Sequence, residues 1–370
     1  MDVRRYDTDP AGLAAWHELA LPVLAADPVV NTFALTALAE RARSGAGPAP
    51  ATLATVHDDG GATVAAALRF AGHGLQVSAL PAGAADALAA ELAADEPLWR
   101  RGAFGPVERV AALVRARVGG TGEIPVTDIE MRLWTLGTLV VPRGVAGTAR
   151  AATDADGPLL ARWFRGFVAD VATDHPGRPV PVPVPVPGPD GPDTAGPDDP
   201  GQDRAAPGHA PGTVPDPGPD PGTAPGHDRG GSAPGPGDGG PDPARFVADE
   251  RAAGRDPVVW EVDGTPVAFG VTRLPAAGVA RIGPVYTPPE HRNHGYAPAV
   301  TAACVRRALA AGAREVVLFT DVAADVPNRI YARIGFVPGG LHREVRFEPA
   351  PDRTPHAAPT HDRTRIGQDR

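Results

Sequence analysis

The stretch R-I-G-P-V-Y-T-P-P-E-H-R-N-H-G-Y-A-P-A, residues 281–299, decides how this chain is read. A β-rich run ends at Pro288 and Pro289, and a helical pattern starts at Gly295. Between them Arg292, Gly295 and Ala297 stand in an R-x-x-G-x-A spacing. A helix N-terminus leaves its first amides unpaired and carries the positive end of the helix dipole. A glycine there lets an anionic group reach the backbone, and an arginine adds a bidentate contact to a phosphate. Pro298 falls in the first turn, where its missing N–H had no helical partner anyway. A plain glycine-capped helix would show the same short spacing, so the neighbouring residues must decide.

Working outward, the strand V-A-R-I-G-P-V-Y-T (279–287) feeds this loop, and a helix from about 295 to 311 leaves it and stops at Gly312. Upstream, residues 258–274 read as two strands turned at Asp263-Gly264, after a helix at 244–254. Downstream, E-V-V-L-F-T-D-V (315–322) is a fourth strand. A short helix from Pro327 to Ile334 is closed by Gly335, and 336–340 and 343–349 supply the last strands. That short helix carries N-R-I-Y-A-R-I-G-F, placing Asn328, Tyr331, Gly335 and Phe336 in an N-x-x-Y-x-x-x-G-F spacing. Residues 152–170 form an amphipathic helix with Leu159, Leu160, Trp163, Phe164 and Phe167 on one face, capped by Asp154 or Asp156.

Residues 1–142 read as a separate mixed α/β domain. Helical spacing covers 13–26 and 31–43, a hairpin at 51–70 turns at Asp59-Gly60, and a short strand (75–80) precedes a helix (83–94). A strand run at 131–142 ends at Pro142. Between the two regular parts, residues 177–243 are almost entirely Pro, Gly, Asp and small polar residues, with too little apolar surface to offset the entropy of ordering. This segment is expected to be a disordered insertion with polyproline character, a spacer or a docking site for a proline-recognition partner. The tail 351–370 is expected to be disordered too.

Composition narrows the function classes. The 370 residues are 42% hydrophobic and 21% charged, with a formal net charge of −9, which argues against a nucleic-acid partner. The chain has no lysine, so a Walker A loop and a pyridoxal Schiff base are both excluded. One cysteine, Cys304, leaves no internal disulfide and no cysteine-based zinc cluster, and no H-x-x-x-H pair suggests a metal. With no apolar run of membrane-spanning length and no signal-like N-terminus, the expected location is the cytoplasm, with no membrane partner.

Taken together, R-I-G-P-V-Y-T-P-P-E-H-R-N-H-G-Y-A-P-A and L-F-T-D…N-R-I-Y-A-R-I-G-F resemble the GNAT superfamily of N-acetyltransferases over residues 149–350, less the insertion. The resemblance implies an α+β fold, a mixed and mostly antiparallel central sheet flanked by helices. It is closest to predicted actinobacterial-type acetyltransferases with a divergent GNAT-like domain in front, which makes the chain a tandem pair with 1–142 as a degenerate copy. It implies acetyl-CoA as cosubstrate, with Arg292, Asn293, His294, Gly295, Tyr296 and Ala297 wrapping the pyrophosphate. Val285, Tyr286 and Thr287 then pair their backbone with the pantetheine arm, Asn328 hydrogen-bonds that arm, and Tyr331 sits near the thioester sulfur. The acceptor is a primary amine of a small molecule or a protein, attacked directly in a ternary complex. An amino-sugar conjugate, as in mycothiol synthase-like enzymes, is one alternative, and an acetyl-CoA sensor or interaction module without turnover is another.

The chemistry needs a base for the amine, donors for the oxyanion and a proton for the leaving thiolate. Tyr331 is the candidate acid. The strand 279–287 has no carboxylate, so Glu261 and Asp321 are the candidate bases, although Glu261 reads more readily as a solvated strand residue and Asp321 as a strand-end or helix-capping group. The step D-V-A-A-D-V-P-N (321–328) lacks the asparagine-proline pair of relatives, which puts the loop's cofactor contacts in doubt. Cys304, on a helix face with Val300 and Ala308, reads as a buried small residue.

Overall fold

The computed structural model describes residues 1–45, 49–174 and 242–349. The expected insertion and tail therefore lie outside the described residues, apart from 242–243. The described residues all fall in one compact unit, Met1–Val186 with Pro241–Arg370.

The first half runs β1 (Asp2–Tyr6), α1 (Pro10–Ala25), α2 (Thr32–Ser44), β2 (Pro50–His57), β3 (Thr63–Phe70), β4 (Gln76–Val77), α3 (Ala84–Glu91), α4 (Glu96–Arg101), β5 (Ala103–Pro106), α5 (Val107–Thr121) and β6 (Ile124–Leu136). The second half runs β7 (Thr148–Ala151), α6 (Gly157–Asp174), α7 (Phe246–Ala252), β8 (Arg255–Val262), β9 (Thr265–Ala276), β10 (Val279–Tyr286), α8 (Tyr296–Ala310), β11 (Glu315–Asp321), α9 (Asp325–Arg333) and β12 (Phe336–Glu348). The two halves repeat one order of elements: a strand, two helices, three strands, helix, strand, helix, strand. The first half adds only α4.

Strands β1-β2-β3-β4 form one sheet, and β5-β12-β6-β11-β10-β9-β8-β7 form a second. The terminal strands are exchanged between halves. β6, from the first half, pairs antiparallel with β11, as in Phe319↔Leu133, and β12 pairs with β5, as in Glu344↔Phe104. β6 and β12 pair with each other along their whole length.

Each half contains a parallel pair that opens. β10 and β11 pair only at Val279↔Glu315, Ala280↔Val316 and Arg281↔Val317. Beyond that point β10 stays on β9 (Tyr286↔Phe269) and β11 stays on β6 (Asp321↔Met131), so a wedge opens between them. In the first half a single parallel bridge, Leu75↔Ala103, joins the end of the small sheet to β5.

Local signals explain most boundaries. The β8–β9 turn takes positive φ at Asp263 (48°) and Gly264 (76°), as a tight two-residue hairpin requires. Helix α6 buries Leu160, Ala161, Trp163 and Phe164, as its spacing predicts. Its entry is capped by Thr153 and Asp156 in a reciprocal capping box. Three boundaries differ from the sequence reading. The strand expected at 131–142 starts at Ile124 and ends at Leu136, because the β11 pairing runs out there. The two last strands are one, β12, interrupted by register shifts at Pro338/Gly340 and Glu344/Val345. The short helix begins at Asp325 and ends at Arg333. The reading also passed over β1, α4, β5, α5 and β7.

Candidate active site

The wedge between β10 and β11 leads to the turn that opens α8. After a single turn of 3-10 helix at Pro289–His291, Asn293 (φ 67°) and Gly295 (φ 81°) both take left-handed backbone. These conformations turn successive amides toward one side, the arrangement that forms an anion-binding nest. The amides of Asn293, His294 and Gly295 have no acceptor among the described residues, and no side chain caps α8. No acidic residue lies in the first turn of α8. A Cβ at Gly295 would stand 3.2 Å from Val145 Cγ2, a tight contact, and the positive φ itself favours glycine.

The other predicted residues are placed as follows. Val285, Tyr296 and Tyr331 pack against one core cluster, so the wedge, the turn and α9 converge. The Tyr331 ring meets Phe336 edge-on at 6.1 Å. Burial pushes its hydroxyl up to about 12, with the buried Cys304 adding to this and Thr301 acting the other way. Tyr331 thus stays protonated across the neutral range. The Tyr286 ring is core: it is 9% exposed, and it runs under α6, where a Cβ at Gly166 would lie 2.6 Å from its hydroxyl. Its backbone, not its ring, faces the wedge region. The Thr287 hydroxyl is buried with no hydrogen-bond partner. Arg292 donates through Nε to the Thr287 carbonyl (3.1 Å) and through a terminal nitrogen to Asp170 on α6 (2.6 Å). His294 donates from Nδ1 to the Arg292 carbonyl (2.7 Å) and stacks on Tyr296.

Neither candidate base is brought to the wedge as a free group. Glu261 accepts from Arg150 Nε at 2.6 Å, and Arg150 also forms a bidentate pair with Asp156. This network ties the edge strand β7 and its neighbour β8 to the turn that enters α6, and β9 separates it from β10. Asp321 accepts the Ala323 amide (2.7 Å) and organises the β11–α9 turn. Sequence alone does not show Glu261's partner, because Arg150 is 111 residues away.

Asn328 is also engaged by its own fold. It accepts from the Thr320 hydroxyl (2.5 Å) and donates to the carbonyls of Asp321 (3.0 Å) and Val322 (3.1 Å). Thr320 in turn accepts from Trp134 Nε1 on β6 (2.8 Å). Both amide protons are used, so only an oxygen lone pair is left for another partner. Asn328→Ala should therefore cost stability, about 2–3 kcal/mol from two released carbonyls and one hydroxyl. Chemical denaturation checks this. An unchanged midpoint with weakened CoA binding would instead make Asn328 chiefly a cofactor contact.

Cys304 is fully buried, and burial pushes its thiol up to about 12, as suits a packing residue. Among the described residues no three His, Cys, Asp or Glu side chains converge as a metal site would need, and no helix is long and apolar enough to cross a membrane. A small cavity partly open to solvent, lined by Phe33, Val77, Phe104 and His342, lies where the first half meets β12.

Comparison with known proteins fits this geometry. Residues 232–336 match the model of the acetyltransferase (GNAT) family. No curated protein matches the chain. Among solved structures, a tandem GNAT protein from the clavulanic acid biosynthesis pathway, without AcCoA, superposes with a TM-score of 0.50 at 14% identity, covering 94% of this chain and 98% of its own. An X-ray structure of a Drosophila protein superposes at 0.51 with 12% identity and the same coverage. At these identities the likeness speaks for the fold, which is the repeated, strand-exchanged architecture described above. The segment that matches the acetyltransferase (GNAT) family model, residues 232–336, is the one in which a parallel strand pair opens onto an amide-rich turn.

Proposed function

We propose that this protein transfers an acetyl group from acetyl-CoA to a primary amine of a small molecule or protein by direct attack. The observation that carries this is the wedge between β10 and β11, which ends at a turn of unpartnered amides. The residues present fit acetyl-CoA on three counts. The amides from Asn293 to Ala297 suit a diphosphate. The β10 edge from Val285 to Thr287 suits an amide-bearing arm added as a strand. The orphaned Thr287 hydroxyl provides a further polar contact.

The thioester supplies an activated acyl group. The chain's own residues supply position and protons. Arg292 and Asn328 flank the arm. Amides at the end of β10 are donors for the developing oxyanion. Tyr331, held protonated, gives its proton to the departing sulfur. With Glu261 and Asp321 both engaged, the amine reaches the site already neutral or loses its proton to water; free alkylamines hold theirs up to a pKa of about 10. In this reading residues 1–142 are a divergent copy of the 149–350 domain, joined to it by the exchanged strands.

Tyr331→Phe should lower turnover about 100-fold, the share a general acid supplies, with CoA affinity little changed. Steady-state kinetics beside calorimetry measures both, and an unchanged rate removes Tyr331 from the chemistry. Thiol release from acetyl-CoA across a panel of amines tests the activity itself. The engaged carboxylates favour one second reading, an acetyl-CoA sensor, and CoA binding without turnover on any amine would support that instead.

A further inference from the structure

On the sheet face away from α8, three arginines stand side by side. Arg255 on β8 is directly opposite Arg273 on β9, and Arg273 is directly opposite Arg281 on β10. Residues opposite each other in register share a face, and like charges so placed repel. Ala280 and Ile282, the neighbours of Arg281, pack into the cluster under α8, which fixes Arg281 on the other side.

Two of the three arginines are compensated. Glu40 of α2 accepts from both Arg255 (2.7 Å) and Arg273, and Glu250 of α7 accepts from Arg255 (2.6 Å). Arg281 has no acceptor and no ion pair among the described residues, and its Nε is buried without a partner. Its guanidinium lies over the Phe33 ring, 4.2 Å from the centroid. Burial, with Arg273 beside it, pushes Arg281 well below the usual guanidinium range, and the attraction of Glu40, which makes no ion pair with it, offsets this only in part. A guanidinium keeps its proton in proteins, so the shift registers an unfavourable placement of charge and not a neutral side chain. Three positive groups thus meet two negative ones in a partly buried layer, where an uncompensated charge is costly.

We propose that the ladder is an oxyanion-binding site, in which the carboxylate or phosphate group of a small molecule seats against Arg281 and Arg273 with Phe33 as its wall. The planar fork of each guanidinium matches both groups. The site lies across the sheet from the start of α8, so it is separate from the cradle proposed for acetyl-CoA and does not depend on it.

Thermal unfolding of the full chain, titrated with inorganic phosphate and with acetate against chloride at matched ionic strength, tests this. Wild type should show a saturating rise of several degrees with at least one of the two anions, as a ligand bound only by the native state gives. Arg281→Met keeps the stacked stem and removes the charge, and should abolish that rise. Gly295→Glu, altered at the α8 turn, should retain it. No anion response in wild type, or a full response in Arg281→Met, overturns the proposal. Should Arg281→Met fail to fold, selenate soaked into wild-type crystals decides by anomalous density: an ion against Arg281 supports the site, and selenate found only elsewhere refutes it.

Discussion

Gly295→Glu should raise the Kd for CoA at least about 100-fold, roughly 2.7 kcal/mol of binding free energy. Two effects add. An L-residue at φ 81° is strained, costing on the order of 1–2 kcal/mol, and its Cβ would press on Val145. The added carboxylate would also sit among the amides that face the diphosphate and repel it. Gly295→Ala separates the terms, since it keeps the strain and lacks the charge, and it should weaken binding less. Calorimetry with CoA measures both variants. Full affinity in Gly295→Glu would remove the α8 turn from the cofactor site, and the functional reading would go with it.

The largest effect on stability is expected at Glu40. This carboxylate is 6% exposed and is the only acidic partner of Arg273 among the described residues. Burial alone would raise its carboxyl. Arg273 and Arg255 outweigh that and hold it at about 2, against an ordinary 4.5. A value lower in the folded than in the unfolded state favours folding above the ordinary range. That contribution, about 3 kcal/mol at roughly 1.4 per unit, is lost as pH falls from about 4.5 to 2. Glu40→Gln should therefore destabilise the protein by about 3–5 kcal/mol at neutral pH, because it leaves clustered guanidinium groups without their carboxylate. It should also flatten the acid limb of the stability curve between pH 4.5 and 2. Urea titrations across that range check both, and a variant within 1 kcal/mol of wild type at pH 7 would show that solvent already screens the ladder.

What the sequence made legible was whatever its local chemistry encodes. The Asp263-Gly264 turn, the apolar face of α6, Gly312 after α8 and the entry at Gly295 each follow from a few adjacent residues, and each stands where the reading placed it. The fold class followed from those pieces together with the two motifs, although the strands β1, β5 and β7 were not read. Register and partner choice did not follow, because they depend on residues far apart. The ladder of Arg255, Arg273 and Arg281 exists only once three strands align. Glu261 looked free because Arg150 is distant in sequence, and Asn328 looked available because its bonds to Thr320 and two carbonyls depend on how α9 folds back on β11. The segment 96–121 was passed over for a simpler reason: two short elements, α4 and β5, run into α5 with almost no linker, so no turn cluster marks them.

The crossing of β6 and β12 also sets how the molecule can be made and dissected. The strand next to β11 is complete near residue 136, whereas its other neighbour, β12, is synthesised only after residue 336. Until then the growing chain carries open strand edges, which are sites for pairing with other molecules. A fragment ending at 142 would lack the cover for β5, and one beginning at 149 would expose β11 along the length that β6 protects. Either half made alone should aggregate, while the two co-expressed as separate chains have a route to reassemble by trading their final strands.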